Sequence, residues 1–335
     1  MGEGTVPDGI MISVQEAGVA HTGRYNPWGR TLSRLTMKIG YPCINQSLPC
    51  RSSRTFRLRS YTDERLLSTV EGNLRCLGEI LRYNASNGIL FFRITSDLVP
   101  FASHPVCTAD WQESLQEEFA AIGTYIRDHH MRISMHPDQF IVLNAKDPDV
   151  LERSVAELAY HAEVLDLLGL DATAKIQLHV GGVYGDREES IGRFIDRYLS
   201  LDEPIVRRLV IENDDRRYTS RECLRIHAET GIPVIFDTLH HRVNASGEEP
   251  VADIFPEVAT TWGPSDGIPM VDYSTQDTKG RPGKHAATID IDDLLRFTGE
   301  IRPLDVDIML EIKDKEASAL RALAALKSDV RLIRR

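Results

Sequence analysis

His104, His136, His179, His240 and His285, with Glu212, Asp237, Asp272 and Glu311, all stand at the ends of short apolar runs or in the segments just after them. Imidazole and carboxylate without thiolate make a donor set suited to Mn²⁺, Zn²⁺, Fe²⁺ or Mg²⁺. Four converging carboxylates would repel one another and push each other's pKa upward unless cations compensated. The set therefore implies metal ions more than a bare acid/base pair. A carboxylate shared by two ions suits hydrolysis at phosphorus, where closely spaced metals activate water and stabilise both oxygens of an in-line displacement. Taken singly, a strand-end histidine is ordinarily a hydrogen-bonded structural residue; the convergence of nine residues carries the reading. His21, His129, His130, His161 and His227 lie in the N-terminal tail, at a helix end or within helices, and no role is assigned to them. Neighbouring residues point apart, so of the pair His240 and His241 only His240 is an expected ligand.

Eight β-rich runs must position these groups: 37–42, 89–95, 132–137, 175–180, 208–213, 233–238, 269–274 and 307–312. They alternate with amphipathic stretches of helical length. Leu66, Leu67, Val70, Leu74, Leu77, Ile80 and Leu81 recur at three- and four-residue intervals, a helix with one apolar face. Val155, Leu158, Ala159, Ala162, Leu165 and Leu168 form a second stripe, and Leu320, Leu323, Ala324 and Leu326 a last one. Nearly continuous apolar strands joined by long crossovers are parallel strands covered on both faces. Eight such units predict a single (β/α)₈ TIM barrel with its functional groups at the C-terminal mouth of the strands. A doubly wound open sheet is the competing architecture, but no GxGxxG follows the first strand and no GxxxxGK[ST] occurs. The barrel is expected over residues 37–335, preceded by a flexible extension, residues 1–36, rich in Gly, Pro and Thr and without a signal-peptide pattern.

The net charge of −11 argues against a nonspecific nucleic-acid coating protein, which needs an excess of Lys and Arg. It leaves room for a local basic groove. Arg51, Arg54, Arg57 and Arg59 form one basic stretch and Lys279, Arg281 and Lys284 another, both following strand ends; Arg216 and Arg217 are weaker candidates. No apolar run reaches membrane-spanning length. The five cysteines are odd in number and lack CxxC spacing, which fits a reducing cytoplasm.

The strings GYPCINQSL (40–48), FFRITSDLVPFASHP (91–105), RISMHPDQF (132–140), IQLHVGG (176–182), IENDDR (211–216), FDTLHH (236–241) and MLEIKDKE (309–316) resemble the ultraviolet damage endonuclease family in order and spacing. The resemblance covers about residues 37 to 318. It implies a barrel related to the abasic-site endonucleases, two or three divalent ions with Mn²⁺ foremost, and nicking of double-stranded DNA immediately 5′ to ultraviolet photoproducts. It implies His136, His179, Glu212, Asp237, His240, His285 and Glu311 as metal ligands. Glu212 and His104 are the catalytic expectations, His104 standing beside the cluster. Tyr41, Asn45, Gln139 and Phe140 match lesion-recognition positions, and Arg51, Arg54, Lys279 and Arg281 are expected on phosphates. One segment departs from the family pattern: Met270 stands where many members have a lysine, and Asp272 where they have a histidine. Asp272 retains an oxygen donor; Met270 cannot replace a lysine. The protein is expected to act as a monomer, in the cytoplasm, and at the nucleoid if its source is prokaryotic. Two other readings remain open at this point: a sugar isomerase or epimerase on a metal-bearing barrel, and a catalytically inactive DNA-binding barrel.

Overall fold

The computed structural model describes residues 36–244 and 249–333. The expected extension, residues 1–36, lies outside the described residues except for Thr36. From Thr36 onward the chain forms a unit of its own. Its eight parallel strands are β1 (Ile39–Pro42), β2 (Phe91–Ile94), β3 (Arg132–Met135), β4 (Lys175–His179), β5 (Leu209–Glu212), β6 (Val234–Asp237), β7 (Met270–Tyr273) and β8 (Asp307–Leu310). They pair in chain order and β8 returns to β1, closing the barrel. Each lies within its sequence-predicted run, trimmed at the ends where the ladder gives way to loops.

The crossovers are helices with their apolar stripes inward. Helix Asp63–Ser86 begins where Thr62 accepts the Arg65 N–H at 3.2 Å, an N-cap. It buries Leu66, Val70, Leu74, Leu77, Ile80 and Leu81. Two expected stripes are rotated. In helix Pro148–Leu167 Ala159 is exposed while Tyr160 and His161 are buried, and in helix Glu316–Ala325 Ala319 and Ala322 face inward rather than Ala324. Alanine has too little surface to fix a helix's rotation, so its neighbours decide it.

Strand alternation organises the interior. Phe91, Val210, Ile235, Met270 and Met309 pack with Trp262 as an inner apolar layer. Two residues further along the same strands stand Arg93, Glu212, Asp237, Asp272 and Glu311. A period of two returns a side chain to the same face, so a charged layer lies directly above the apolar one. Met270, the departure from the family pattern, belongs to the apolar layer. At the other end Lys175 reaches Asp266 at 2.6 Å and Arg132 reaches Asp307 at 3.5 Å.

Gly40 makes room for β2. A Cβ there would lie 2.2 Å from the Phe91 carbonyl oxygen, directly across the β1–β2 register. Backbone held in a ladder cannot retreat, so Gly40→Ala is expected to cost about 3 kcal/mol in urea melts, the upper range for overpacking. A loss under about 0.5 kcal/mol would mean that β1 shifts freely.

One bridge joins two of the five cysteines. Cys50 and Cys76 form a disulfide tying the segment after β1 to helix Asp63–Ser86, while Cys43, Cys107 and Cys223 are free. The pair is separated by 26 positions, so no local spacing announces it.

Candidate metal centre

Register brings the ligands together. His179 at the end of β4 is directly paired with Glu212 at the end of β5, and Asp237 of β6 with Asp272 of β7. Asp237 is also the N-cap of helix Thr238–Val243: its Oδ1 accepts the His240 N–H at 2.6 Å. That single bond fixes His240 over the mouth. His241 faces the other way, its Nε2 2.8 Å from the Glu249 carbonyl.

Three overlapping groups result, each with ligand atoms within 4.8 Å of one another: His136, His179 and Glu212; Glu212, Asp237 and His240; Asp237, Asp272 and Glu311. Glu212 and Asp237 are each shared by two groups. His285 stands beside Glu311, its Nε2 3.6 Å from Oε2, and 6.1 Å ring to ring from His240.

The donor set fits divalent ions. His136 Nδ1 lies 2.7 Å from the Pro137 carbonyl and His240 Nδ1 3.0 Å from the Asn213 carbonyl. A carbonyl only accepts, so Nδ1 carries the proton and Nε2 keeps a lone pair. Yet His136 Nε2 faces Glu212 Oε1 at 3.3 Å, and His179 Nε2 faces the same oxygen at 2.8 Å. Two imidazole nitrogens so placed around one carboxylate oxygen form a set that a shared divalent ion would complete. Asp237 Oδ2 and the Nδ1 atoms of His179 and His285 are buried without a hydrogen-bond partner among the described residues.

Metal-free electrostatics agree. Burial alone would raise the Glu212 carboxyl, but His179 and His136 hold it well below the usual carboxylate range. Burial pushes Asp237 up to about 6 against the pull of His240. Burial disfavours the His240 cation, yet Asp237, Glu212 and Glu311 outweigh it and raise that imidazole to about 10.

Two buried residues missed by sequence reasoning hold the carboxylates. Arg93 donates from Nη2 to both oxygens of Asp272, at 2.7 and 2.9 Å, and from Nη1 to Glu311. Gln177 donates to Glu212 and Asp272, and its Oε1 accepts from Arg93 at 2.7 Å. The strand period places both inward, Arg93 two residues after Phe91 and Gln177 two before His179. His161, assigned no role, lies 3.1 Å from Ser96 Oγ, which donates to the His136 carbonyl at 2.7 Å. It supports a ligand from behind. Gln177→Leu is expected to weaken divalent-ion binding roughly 10–100-fold, the usual cost of losing a partner that orients a ligand, in calorimetric titrations. A change under twofold would remove Gln177 from that role.

Other expected residues are placed differently. His104 is exposed, its Nδ1 accepting the Val106 N–H at 3.0 Å, and it belongs to none of the three groups. His104 therefore supplies no donor to the three groups. Tyr41 and Asn45 are 0% and 1% exposed. Asn45 donates to the Tyr41 hydroxyl, which donates to Asn84, and Asn45 Oδ1 caps Ser47 and Leu48. These two side chains hold the loop and offer no surface to DNA. Arg51 donates to the carbonyls of Asn45, Leu48 and Cys50, and the Arg54 guanidinium lies against Gly72 of helix Asp63–Ser86.

The mouth opens into a cleft of about 700 Å³ lined by Arg93, His136, His179, His285 and Glu311, and also by Gln139, Phe140, Arg281, Lys284, Lys313 and Lys315. Lys279 is exposed on the same loop as Arg281. Asp277 holds Lys284 at 2.9 Å and Lys313 at 3.3 Å.

Barrel and mouth together define a (β/α)₈ protein with three overlapping candidate metal-binding groups of His and carboxylate at the strand ends. The profile of the UV-endonuclease UvdE family matches residues 37–334, and the chain belongs to that family. The UV DNA damage endonuclease of Clostridium perfringens is 38% identical over 292 residues, covering 87% of this chain and 71% of its own. That of Bacillus cereus is 31% identical over 304 residues, 88% of this chain and 96% of its own. The crystal structure of SacUVDE superimposes with a TM-score of 0.83 at 44% identity, covering 87% of this chain and 98% of that one.

Proposed function

We propose that this protein is a divalent-metal-dependent DNA-repair endonuclease that nicks double-stranded DNA immediately 5′ to ultraviolet photoproducts and leaves a 3′-hydroxyl, with Mn²⁺ as its working ion. The observation that carries the reading is the pair of imidazoles, His136 and His179, that line an open basic-rimmed cleft and face one buried carboxylate, Glu212. His136, His179 and Glu212 would hold one ion, and Glu212, Asp237 and His240 a second, with His285 and Glu311 beside them. When bound, such ions supply a water activated at neutral pH and a positive field for the departing oxygen.

The chain's own residues supply the rest. Arg281 and Lys284 present cations to the DNA backbone, contacts that fix register without reading sequence. Lys284 exchanges its hold on Asp277 for phosphate. Phe140 and Gln139 stand exposed on the cleft to meet the distorted step at a lesion. Family membership removes the support for the isomerase reading. The protein acts as a monomer, in the cytoplasm or at the nucleoid; no described helix is long and apolar enough to cross a membrane.

A duplex carrying one cyclobutane dimer, incubated with chelator-stripped protein and added Mn²⁺, Mg²⁺ or Zn²⁺, tests the proposal. A cut 5′ to the dimer that needs metal and spares the undamaged duplex is the expected result. An abasic-site duplex run in parallel measures lesion breadth. Metal-loaded protein that binds dimer DNA and never cuts it would establish the inactive barrel instead.

A further inference from the structure

Of the three groups at the mouth, the third differs from the others in kind. Asp237, Asp272 and Glu311 offer carboxylate oxygens alone, whereas each of the other two groups includes at least one imidazole. Two of its three members are already held by one guanidinium: Arg93 engages both oxygens of Asp272 and one of Glu311. Gln177 adds a further donor to Asp272 Oδ2. Arg93 is 3% exposed and always charged, so it cannot yield its place by losing a proton. A divalent ion taken by the same oxygens would sit beside that fixed cation in a buried setting, where like charges are weakly screened.

Charge counting points the same way. Four carboxylates contribute −4 and Arg93 +1. Two divalent ions bring the mouth to +1, suited to a phosphodiester; three would bring it to +3 against one bridging phosphate charge.

We infer that Arg93 is the resident cation of the third group, so that the mouth binds two divalent ions per chain, and that Arg93 acts as a positioning residue holding Asp272 and Glu311. The inference rests on the metal-dependent reading above. Asp272 is then a counter-ion and not a ligand, and the apolar Met270 beneath it needs no polar replacement.

Metal content tests this without reference to activity. The full-length protein, stripped with chelator, is dialysed against Mn²⁺ and, separately, Zn²⁺, and bound metal is measured by mass spectrometry and by calorimetric stoichiometry. Two ions per chain are expected; three would overturn the inference while leaving the metal centre intact, and none would overturn both. Asp272→Asn should still bind two, and a fall to one would show that Asp272 is a ligand. Arg93→Met frees the carboxylates and should raise the count to three; a folded Arg93→Met protein, judged by its circular dichroism melt, that stays at two would overturn the exclusion. Two bound ions with no DNA nicking would defeat the proposed function and leave this inference standing.

Discussion

Glu212→Gln is expected to lower the rate of nicking at a dimer by about 10³-fold or more while the protein melts within a few degrees of the parent. The size follows from sharing. Glu212 belongs to two of the three ligand groups, and one of its oxygens faces both His136 and His179. Losing a single preorganised polar group at a reacting centre typically costs 10²–10³, and here one substitution disturbs two ion positions. Gln keeps the shape and can still meet Gln177 through its oxygen. It removes the negative charge, and an amide nitrogen turned toward the imidazoles cannot bind metal. The fold should survive because Glu212 contributes one member to a charged layer that lies above an intact apolar one. Nicking rates at saturating Mn²⁺, with metal content measured on the same preparation, check it. Full activity with normal metal content would show that Glu212 is not at the centre of the reaction.

The barrel was legible because parallel strands covered on both faces have to be apolar, and eight such runs were separated by helix-length stripes. His136, His179, Glu212, Asp237, His240 and Glu311 were legible for a related reason: polar groups at the ends of such runs have nowhere to point but the mouth. The same rule hid Arg93 and Gln177. They sit inside strands, where the expectation is hydrophobic, and their polarity is tolerated only because the carboxylates above accept their hydrogen bonds. Tyr41 and Asn45 were misplaced for the converse reason. They lie in a strand end and its loop, where exposure is the default, but the loop folds over and uses both side chains to close itself. His104 shows the limit of the strand-end rule: ten residues beyond its strand, it is exposed and outside the three groups. Resemblance named the function class; which residues the chain uses to hold its own loops could be learned only from the packing.

Phe140→Ala is expected to leave stability unchanged within about 0.5 kcal/mol, as for an ordinary surface change, and to lower kcat/KM on dimer DNA roughly 10–100-fold. Phe140 is 74% exposed at the edge of the cleft. Its position is nevertheless fixed. The turn closes through the Ile141 N–H on the Asp138 carbonyl at 2.9 Å, and the Val142 N–H reaches Ser154 at 2.9 Å. Asn144 then bonds Gly182 in both directions, joining this loop to the one after β4. At its other end the turn begins at His136, a member of the first candidate group. An apolar ring held out in water beside a metal ligand gains nothing for folding, since burying such a ring would stabilise the protein by about 1.5–3 kcal/mol. On the proposed function it fills the gap left when a damaged step unstacks, a few kcal/mol of distortion that is smallest at a lesion. The loss in Phe140→Ala should therefore shrink on a duplex whose bases opposite the dimer are mismatched, because less unstacking remains to be compensated. Phe140→Tyr, which keeps the planar ring, should retain activity within about threefold. Equal losses on paired and mismatched substrates would assign Phe140 to general DNA affinity, and no loss on either would make it a surface residue that happens to border the cleft.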